Sequence, residues 1–265
     1  MNNDVDHAAI LGKKEIKSRL DTEDPLKKIY IYPLLASSQI QPASVDIRLG
    51  PKFNVTKIGK ITHIDPLKSV NEVTLEIKQY LESYKILNKF EKFILHPNEF
   101  VLGSTLEYLK LPTDIGARIE GRSSWGRLGV LIHSTAGFID PGFCGNVTLE
   151  LKNVSKIPIA LYPGVRIGQL SFFKIQETEP YTGKYQNSFG TVSSKYFKDE
   201  EYDVLRESYH SYDKIISELF GSLVTGQGIP ESVYQHRLPK ELIDAIVKAY
   251  MLATSEKSKD YDENE

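Results

Sequence analysis

Hydrophobic residues in the first two-thirds of the chain recur in short runs separated by turn residues. SVDIRLG (44–50), KFILH (92–96), EFVLG (99–103), ARIEG (117–121), VLIHS (130–134), NVTLEL (146–151), IPIALY (157–162) and GQLSFF (168–173) each read as a strand. Pro51, Pro97, Pro112, Gly129, Pro141-Gly142 and Pro163-Gly164 stand between most of them. Many short strands at close spacing predict a β-barrel or sandwich. Helical spacing is confined to a few places. Ile16 and Leu20 stand four apart in KKEIKSRL (13–20). Beyond residue 200, VLRESYHSYDKIISELF (204–220) and ELIDAIVKAYMLA (241–253) read as amphipathic helices, with Pro239 suited to the start of the second. The segment EVTLEIKQYLESYKILN (72–88) mixes both periods, beginning like a strand and ending like a helix.

Charge marks the same boundary as the change of period. Residues 200–265 carry 14 acids against 7 bases, whereas residues 1–199 carry 21 against 26. The β-patterned part is therefore a candidate for an anionic ligand. The overall net charge of −2 argues against a polycationic nucleic-acid binder. No apolar run approaches the ~18 residues of a membrane span. MNNDVDHAAILGKKEIKSRL has neither the charge order nor the apolar stretch of a secretory signal. A single cysteine, Cys144, excludes an intrachain disulfide and fits a reducing cytoplasm. Between Phe143 and Gly145 it reads most simply as a small buried residue. The polar end SEKSKDYDENE reads as frayed.

The common signatures for phosphate loops, dinucleotide folds and serine hydrolases (GxxxxGK[ST], GxGxxG, GxSxG) are absent. Six histidines lie scattered without HExxH, and one cysteine cannot build the zinc site of a metal-dependent nucleobase deaminase.

Candidate chemistry concentrates in RIEGRSSWGRLGVLIHSTAGFIDPGFCGNVTLE (118–150). Arg122, Ser123, Ser124 and Arg127 bring two guanidiniums and two hydroxyls within six residues, flanked by Gly121 and Gly126. Such a cluster suits phosphate oxygens, and equally a solvated turn. Asp140 before Pro141-Gly142 suits a turn, a sugar hydroxyl or a positioned water. In Val147-Thr148-Leu149-Glu150-Leu151, alternation puts Val147, Leu149 and Leu151 on one face and Thr148 and Glu150 on the other. Glu150 is solvated there unless that face lines a pocket.

QPASVDIRLG (41–50), HPNEFVLGSTLEYLKLP (96–112), the block at 118–150 and IPIALYPGVRIGQLSF (157–172) resemble the dCTP deaminase family, relatives of the trimeric dUTPases. KYQNSFGTVSSKYF (184–197) is similar to that family's nucleotide-covering tail. The resemblance spans roughly residues 10–198. It implies a mainly β fold, a distorted jelly-roll-like barrel of the dUTPase type, over residues 1–199 with the tail at about 180–199. Residues 200–265 would form an acidic helical extension without counterpart. It implies a homotrimer with active sites between subunits, and zinc-independent deamination. Glu150 would be the general base on a water attacking C4 of cytosine. Arg127 would orient it, and Ser123 and the Ala136 carbonyl would hold the water. Arg122, Ser123, Ser124, Gln169, Tyr181 and Lys184 would hold the triphosphate, which carries Mg²⁺. Asp140 would take the 3′-hydroxyl. Trp125, Gly126, Thr148 and Leu149 complete the implied substrate surround. Ser188 stands where many family members have Gln, so no contact is carried over to it.

Within the family some members release dUTP and others cleave it to dUMP and pyrophosphate. STAGFIDPGFCGNVTLEL, with Gly137 before Phe138-Ile139-Asp140, and Gln169 resemble the second type, in which Asp140 would also position the water attacking phosphate. The resemblance suggests dTTP as an inhibitor. A dUTP-forming deaminase, a dUTPase, and a nucleotide-sensing protein without activity remain the alternatives. Glu150 argues against a plain dUTPase, which would not need a carboxylate there. Retention of Ser123, Arg127, Asp140 and Glu150 together argues against loss of catalysis.

Overall fold

A computed structural model describes residues 9–57, 63–65, 67–68, 70–88, 90–176 and 178–206, and isolated positions from 214 to 248. The chain divides into two compact units. One comprises Met1–Ile64 and Val70–Lys195, and the other Asp65–Ser69 and Tyr196–Glu265.

The first unit is mainly antiparallel β-structure. Strands β1 (Tyr30–Tyr32), β3 (Lys52–Thr56), β4 (Leu81–Lys85), β6 (Phe100–Lys110), β8 (Val130–Leu131) and β10 (Cys144–Asn153) make one sheet in the order β4-β3-β6-β10-β8, with β1 also on β6. A second sheet runs β2 (Val45–Arg48), β12 (Arg166–Lys174), β7 (Ile115–Gly121), β9 (Phe138–Ile139). A third pairs β5 (Phe93–Leu95) with β11 (Ile159–Leu161). The strands share one apolar core. Val45, Ile47 and Leu49 come from β2 and its end, Leu149 and Leu151 from β10, and Phe172 from β12, all nearly or fully inaccessible to solvent. Phe53 stacks on Phe93 with centroids 4.5 Å apart. Helix α1 (Lys13–Asp21) inserts Ile16, and its Arg19 is tied to Asp114 at 2.6 Å.

The mixed segment reverses the expected order. Helix α2 (Val70–Tyr80) comes first and β4 second. Val70, Val73, Ile77 and Tyr80 keep helical spacing, and Val73 is buried. Leu81–Lys85 instead finds a partner, pairing in register with Lys52–Thr56. An available strand edge decided what local pattern left ambiguous.

Turn chemistry shapes the stretch after β9. Pro141 and Gly142 (φ 74°) occupy the middle of a turn in which the Phe143 N–H reaches the Asp140 carbonyl at 3.2 Å. Pro followed by a residue with positive φ is the pattern of a type II turn.

In the second unit, Arg206 donates to the carbonyls of Phe197 and Lys68 and pairs with Asp203. Tyr196 packs edge-on against Phe197 and Tyr202. Residues 200–206 are helical, as are the described positions 214, 217, 218, 221, 222, 247 and 248. The remainder of both helices expected after residue 200 lies outside the described residues.

Candidate active site

Strand β10 builds the wall that matters most. Leu149 and Leu151 point into the core, while Thr148 and Glu150 take the other face. A register shift between Asn146 and Thr148 interrupts strict alternation, so Val147, while still packed against the core, also joins Thr148 on the cavity wall. The cavity measures about 420 Å³. His133, Ala136, Asp140, Thr148, Glu150 and Tyr181 contribute its polar side, and Phe100, Leu102, Phe138 and Phe143 its apolar side. One Glu150 oxygen accepts the Ser134 N–H at 2.6 Å, and the Glu150 N–H donates to the Ile132 carbonyl at 2.9 Å. The carboxylate is thus held in place without being sealed from solvent.

Residues 181–192 fold back over β10. The Tyr181 N–H reaches the Pro141 carbonyl at 2.8 Å. Gln186 is bound three ways, accepting from the Cys144 N–H and donating to the carbonyls of Gly142 and Tyr181. Asn187 donates to the Cys144 carbonyl at 2.7 Å, and the Asn146 N–H to the Ser188 carbonyl at 2.9 Å. Asn146 Oδ1 accepts from Gly190, Thr148 Oγ1 from Val192, and Thr191 Oγ1 donates to the Lys52 carbonyl. Gly145 permits this approach, because a Cβ there would lie 3.0 Å from the backbone N and O of Ser188. Tyr185, Val192, Ser193 and Ser194 consequently line the cavity. Cys144 is half-buried rather than buried. Its Sγ stands 3.3 Å from the Tyr108 hydroxyl, and this contact pushes the phenol pKa up.

A second concavity, about 460 Å³, opens where β2 and β12 meet the short helix α3 (Ser123–Arg127). Arg48, Arg122, Ser124, Trp125 and Arg166 line it. Arg122 and Arg166 share the buried carboxylate of Asp46, at 3.5 and 3.2 Å. Arg48 pairs with buried Glu107 at 3.1 Å. Burial raises the Glu107 pKa, against the lowering effect of hydrogen bonds from Arg48. Trp125 Nε1 donates to the Arg166 carbonyl at 2.9 Å, fixing α3 on β12.

The residues singled out in the sequence therefore fall into two groups. Ala136, Asp140, Thr148, Glu150 and Tyr181 line the cavity; Arg122, Ser124 and Trp125 line the concavity. Leu149 lies in the core. Ser123 and Arg127 are exposed on α3, and Arg127 has no partner among the described residues. Gly126 sits inside α3, where a Cβ would meet nothing within 4 Å. Gln169, on β12, receives the Ser44 hydroxyl at 3.4 Å, and Lys184 stacks its ammonium over the Tyr185 ring.

Sequence inspection missed several residues here. His133 lines the cavity with its Nε2 3.6 Å from Glu120, and its Nδ1 is buried without a partner among the described residues. Tyr80 closes another part of the wall, and burial raises its hydroxyl pKa. Asp46, Arg48 and Arg166 were also passed over. Alternation in SVDIRLG could have found the first two, since Val45, Ile47 and Leu49 leave Asp46 and Arg48 on the opposite face.

Among known proteins, dCTP deaminases called dUMP-forming are similar to this chain. The one from Dictyoglomus turgidum is 46% identical over 193 residues, 70% of this chain and 94% of that protein. The one from Methanobrevibacter smithii is 46% identical over 190 residues, 72% of this chain and 91% of that protein. Of solved structures, a 2′-deoxycytidine 5′-triphosphate deaminase from Agrobacterium tumefaciens aligns with a TM-score of 0.47 and 24% identity, covering 63% of this chain and 48% of that one. The family model described as dCTP deaminase-like matches residues 10–175, and with relatives this similar over this much of its length, the chain belongs to that family.

Proposed function

We propose that the chain hydrolyses dCTP to dUTP and ammonia, then cleaves dUTP to dUMP and pyrophosphate. The observation that carries this reading is Glu150, an immobilised carboxylate on the wall of a 420 Å³ cavity large enough for a nucleoside. The names of the relatives, dUMP-forming dCTP deaminases, supply the second step. Glu150 takes a proton from the water that adds to C4 and delivers it to the departing N4, which leaves as ammonia. A positioned base of this kind contributes ~10²–10⁴-fold in rate. The Ala136 carbonyl and Ser123 hold that water. Asp140 binds the 3′-hydroxyl and, in the second step, orients the water attacking phosphate.

The protein acts as a homotrimer whose sites combine the cavity of one copy with the concavity of another. Support comes from the separation of the two groups within one chain and from Arg127, which has no partner among the described residues and would orient the Glu150 of a neighbour. Arg122, Ser123, Ser124 and Gln169 of one copy, with Tyr181 and Lys184 of the other, hold the triphosphate. Trp125 and Gly126 support that phosphate-binding turn, and Leu149 backs Thr148 and Glu150 on the pyrimidine side. Mg²⁺ arrives on the triphosphate as part of the substrate. The enzyme works in the cytoplasm and is inhibited by dTTP. Residues 200–265 form a separable acidic extension.

Chromatography of the products from dCTP and Mg²⁺ tests the proposal. It expects ammonia, dUMP and pyrophosphate in equal amounts. Accumulation of dUTP without pyrophosphate identifies a deaminase alone. Inertness towards dCTP with cleavage of added dUTP identifies a dUTPase.

A further inference from the structure

Asp46 has been given no part in the chemistry, yet it is the most constrained charge near the arginine concavity. Its side chain is 2% exposed. It sits on β2 opposite Gln169 of β12, two residues from Arg48. One carboxylate oxygen faces Arg122 Nε at 3.5 Å. The other faces Arg166 Nη1 at 3.2 Å and Gln41 Nε2 at 3.4 Å. A buried carboxylate persists only if it is paired, so this geometry is strongly specified.

The effect on Arg122 is asymmetric. Its Nε is engaged by Asp46 and its Nη1 by the Arg166 carbonyl at 3.4 Å. Its Nη2 has no partner among the described residues. Nε and Nη1 are thus tethered to the protein, and Nη2 with its two N–H groups is left for a ligand at the concavity. A free arginine side chain carries rotamer entropy that a ligand otherwise has to freeze. Arg166 carries the same tether and also donates to the Ser38 carbonyl at 3.3 Å.

We infer that Asp46 is a positioning residue for the triphosphate, holding Arg122 and Arg166 in a preset array. The inference rests on the proposed reading that Arg122 contacts the phosphates. It separates Asp46 from Glu150: one acts on affinity for the anionic part of the substrate, the other on the deamination step.

The test uses the full-length protein and two readouts. Asp46→Asn keeps the shape and removes the charge. The expected result is a KM for dCTP raised about tenfold, with kcat changed less than about threefold. Binding of inorganic pyrophosphate, measured by calorimetry, should weaken in parallel. Asp46→Glu keeps the buried charge and shifts it by one methylene, so it provides a folded variant even if Asp46→Asn does not fold. It should raise KM and weaken pyrophosphate binding by a smaller factor. Unchanged KM and unchanged pyrophosphate affinity in a folded variant overturn the inference, as does a loss of kcat at constant KM. A lowered melting temperature with both binding readouts intact makes Asp46 structural and also overturns it. If the wild-type protein leaves dCTP untouched, the functional reading fails instead, and pyrophosphate binding still decides whether Asp46 organises an anion site.

Discussion

The cavity over β10 and the concavity beside α3 are built from opposite materials. In the cavity, carboxylates from β10 and the turn before it stand among aromatic and aliphatic side chains, and the segment 181–192 is hydrogen-bonded across the strand. In the concavity, three guanidiniums are held by two buried carboxylates, with nothing comparable folded over them among the described residues. The first arrangement suits an uncharged ring that must be desolvated, the second a highly charged group that must be attracted. A nucleoside triphosphate needs both. The difference teaches that base chemistry and phosphate recognition are written on separate surfaces of one unit, each supported by its own strand.

The largest effect expected on this division comes from Glu150→Gln. Ammonia release from dCTP should fall by ~10³-fold or more, while dCTP binding stays near normal because the phosphate contacts lie elsewhere. Near-normal deamination by a folded variant breaks the assignment of base chemistry to the cavity. Ending the chain at residue 182 removes Gln186, Asn187 and Thr191 from their bonds to β10 and β3. Both ammonia and pyrophosphate release should fall by ~10²-fold, as expected when closure of a site is lost. An unaffected rate would show that the segment has no part in the reaction. Gly145→Val is a milder form of the same lesion, because its side chain collides with Ser188. It should raise the KM for dCTP several-fold and lower ammonia release by less than ending the chain at residue 182 does.

How much of this was legible beforehand differs between the two surfaces. Strands β2, β7, β10 and β12 could be read because alternation and turn residues agreed. Glu150 stood out because Leu149 and Leu151 fix its face. The α2–β4 order could not be read, because Leu81–Lys85 is a strand only by virtue of its pairing with β3. The buried charges were harder still. Asp46 and Glu107 look like ordinary solvated acids in the sequence, and only Arg48, Arg122 and Arg166 from distant segments make their burial tolerable. His133 was dismissed among scattered histidines, since its place on the cavity wall depends on the fold after β8.

The smallest predicted effect sharpens the electrostatic side. Burial raises the Glu107 pKa above the ordinary 4.5, so the folded state binds a proton there before the unfolded chain does. Acidification from that raised value towards 4.5 should therefore stabilise the wild type relative to Glu107→Gln. The difference in melting temperature should grow by about 1 °C in favour of the wild type. A difference that shrinks as pH falls reverses the sign and contradicts the burial argument.

Subunit mixing tests the central claim, that the two surfaces are halves of one site, most directly. Glu150→Gln and Arg122→Gln are each expected to be inactive alone on dCTP at low concentration. Co-expressed with different tags and purified through both, the hybrid should regain ammonia release, since an intact cavity in one copy meets an intact concavity in the next. Hybrids that contain both chains and remain as inactive as either parent would contradict the account and return the whole reaction to a single chain.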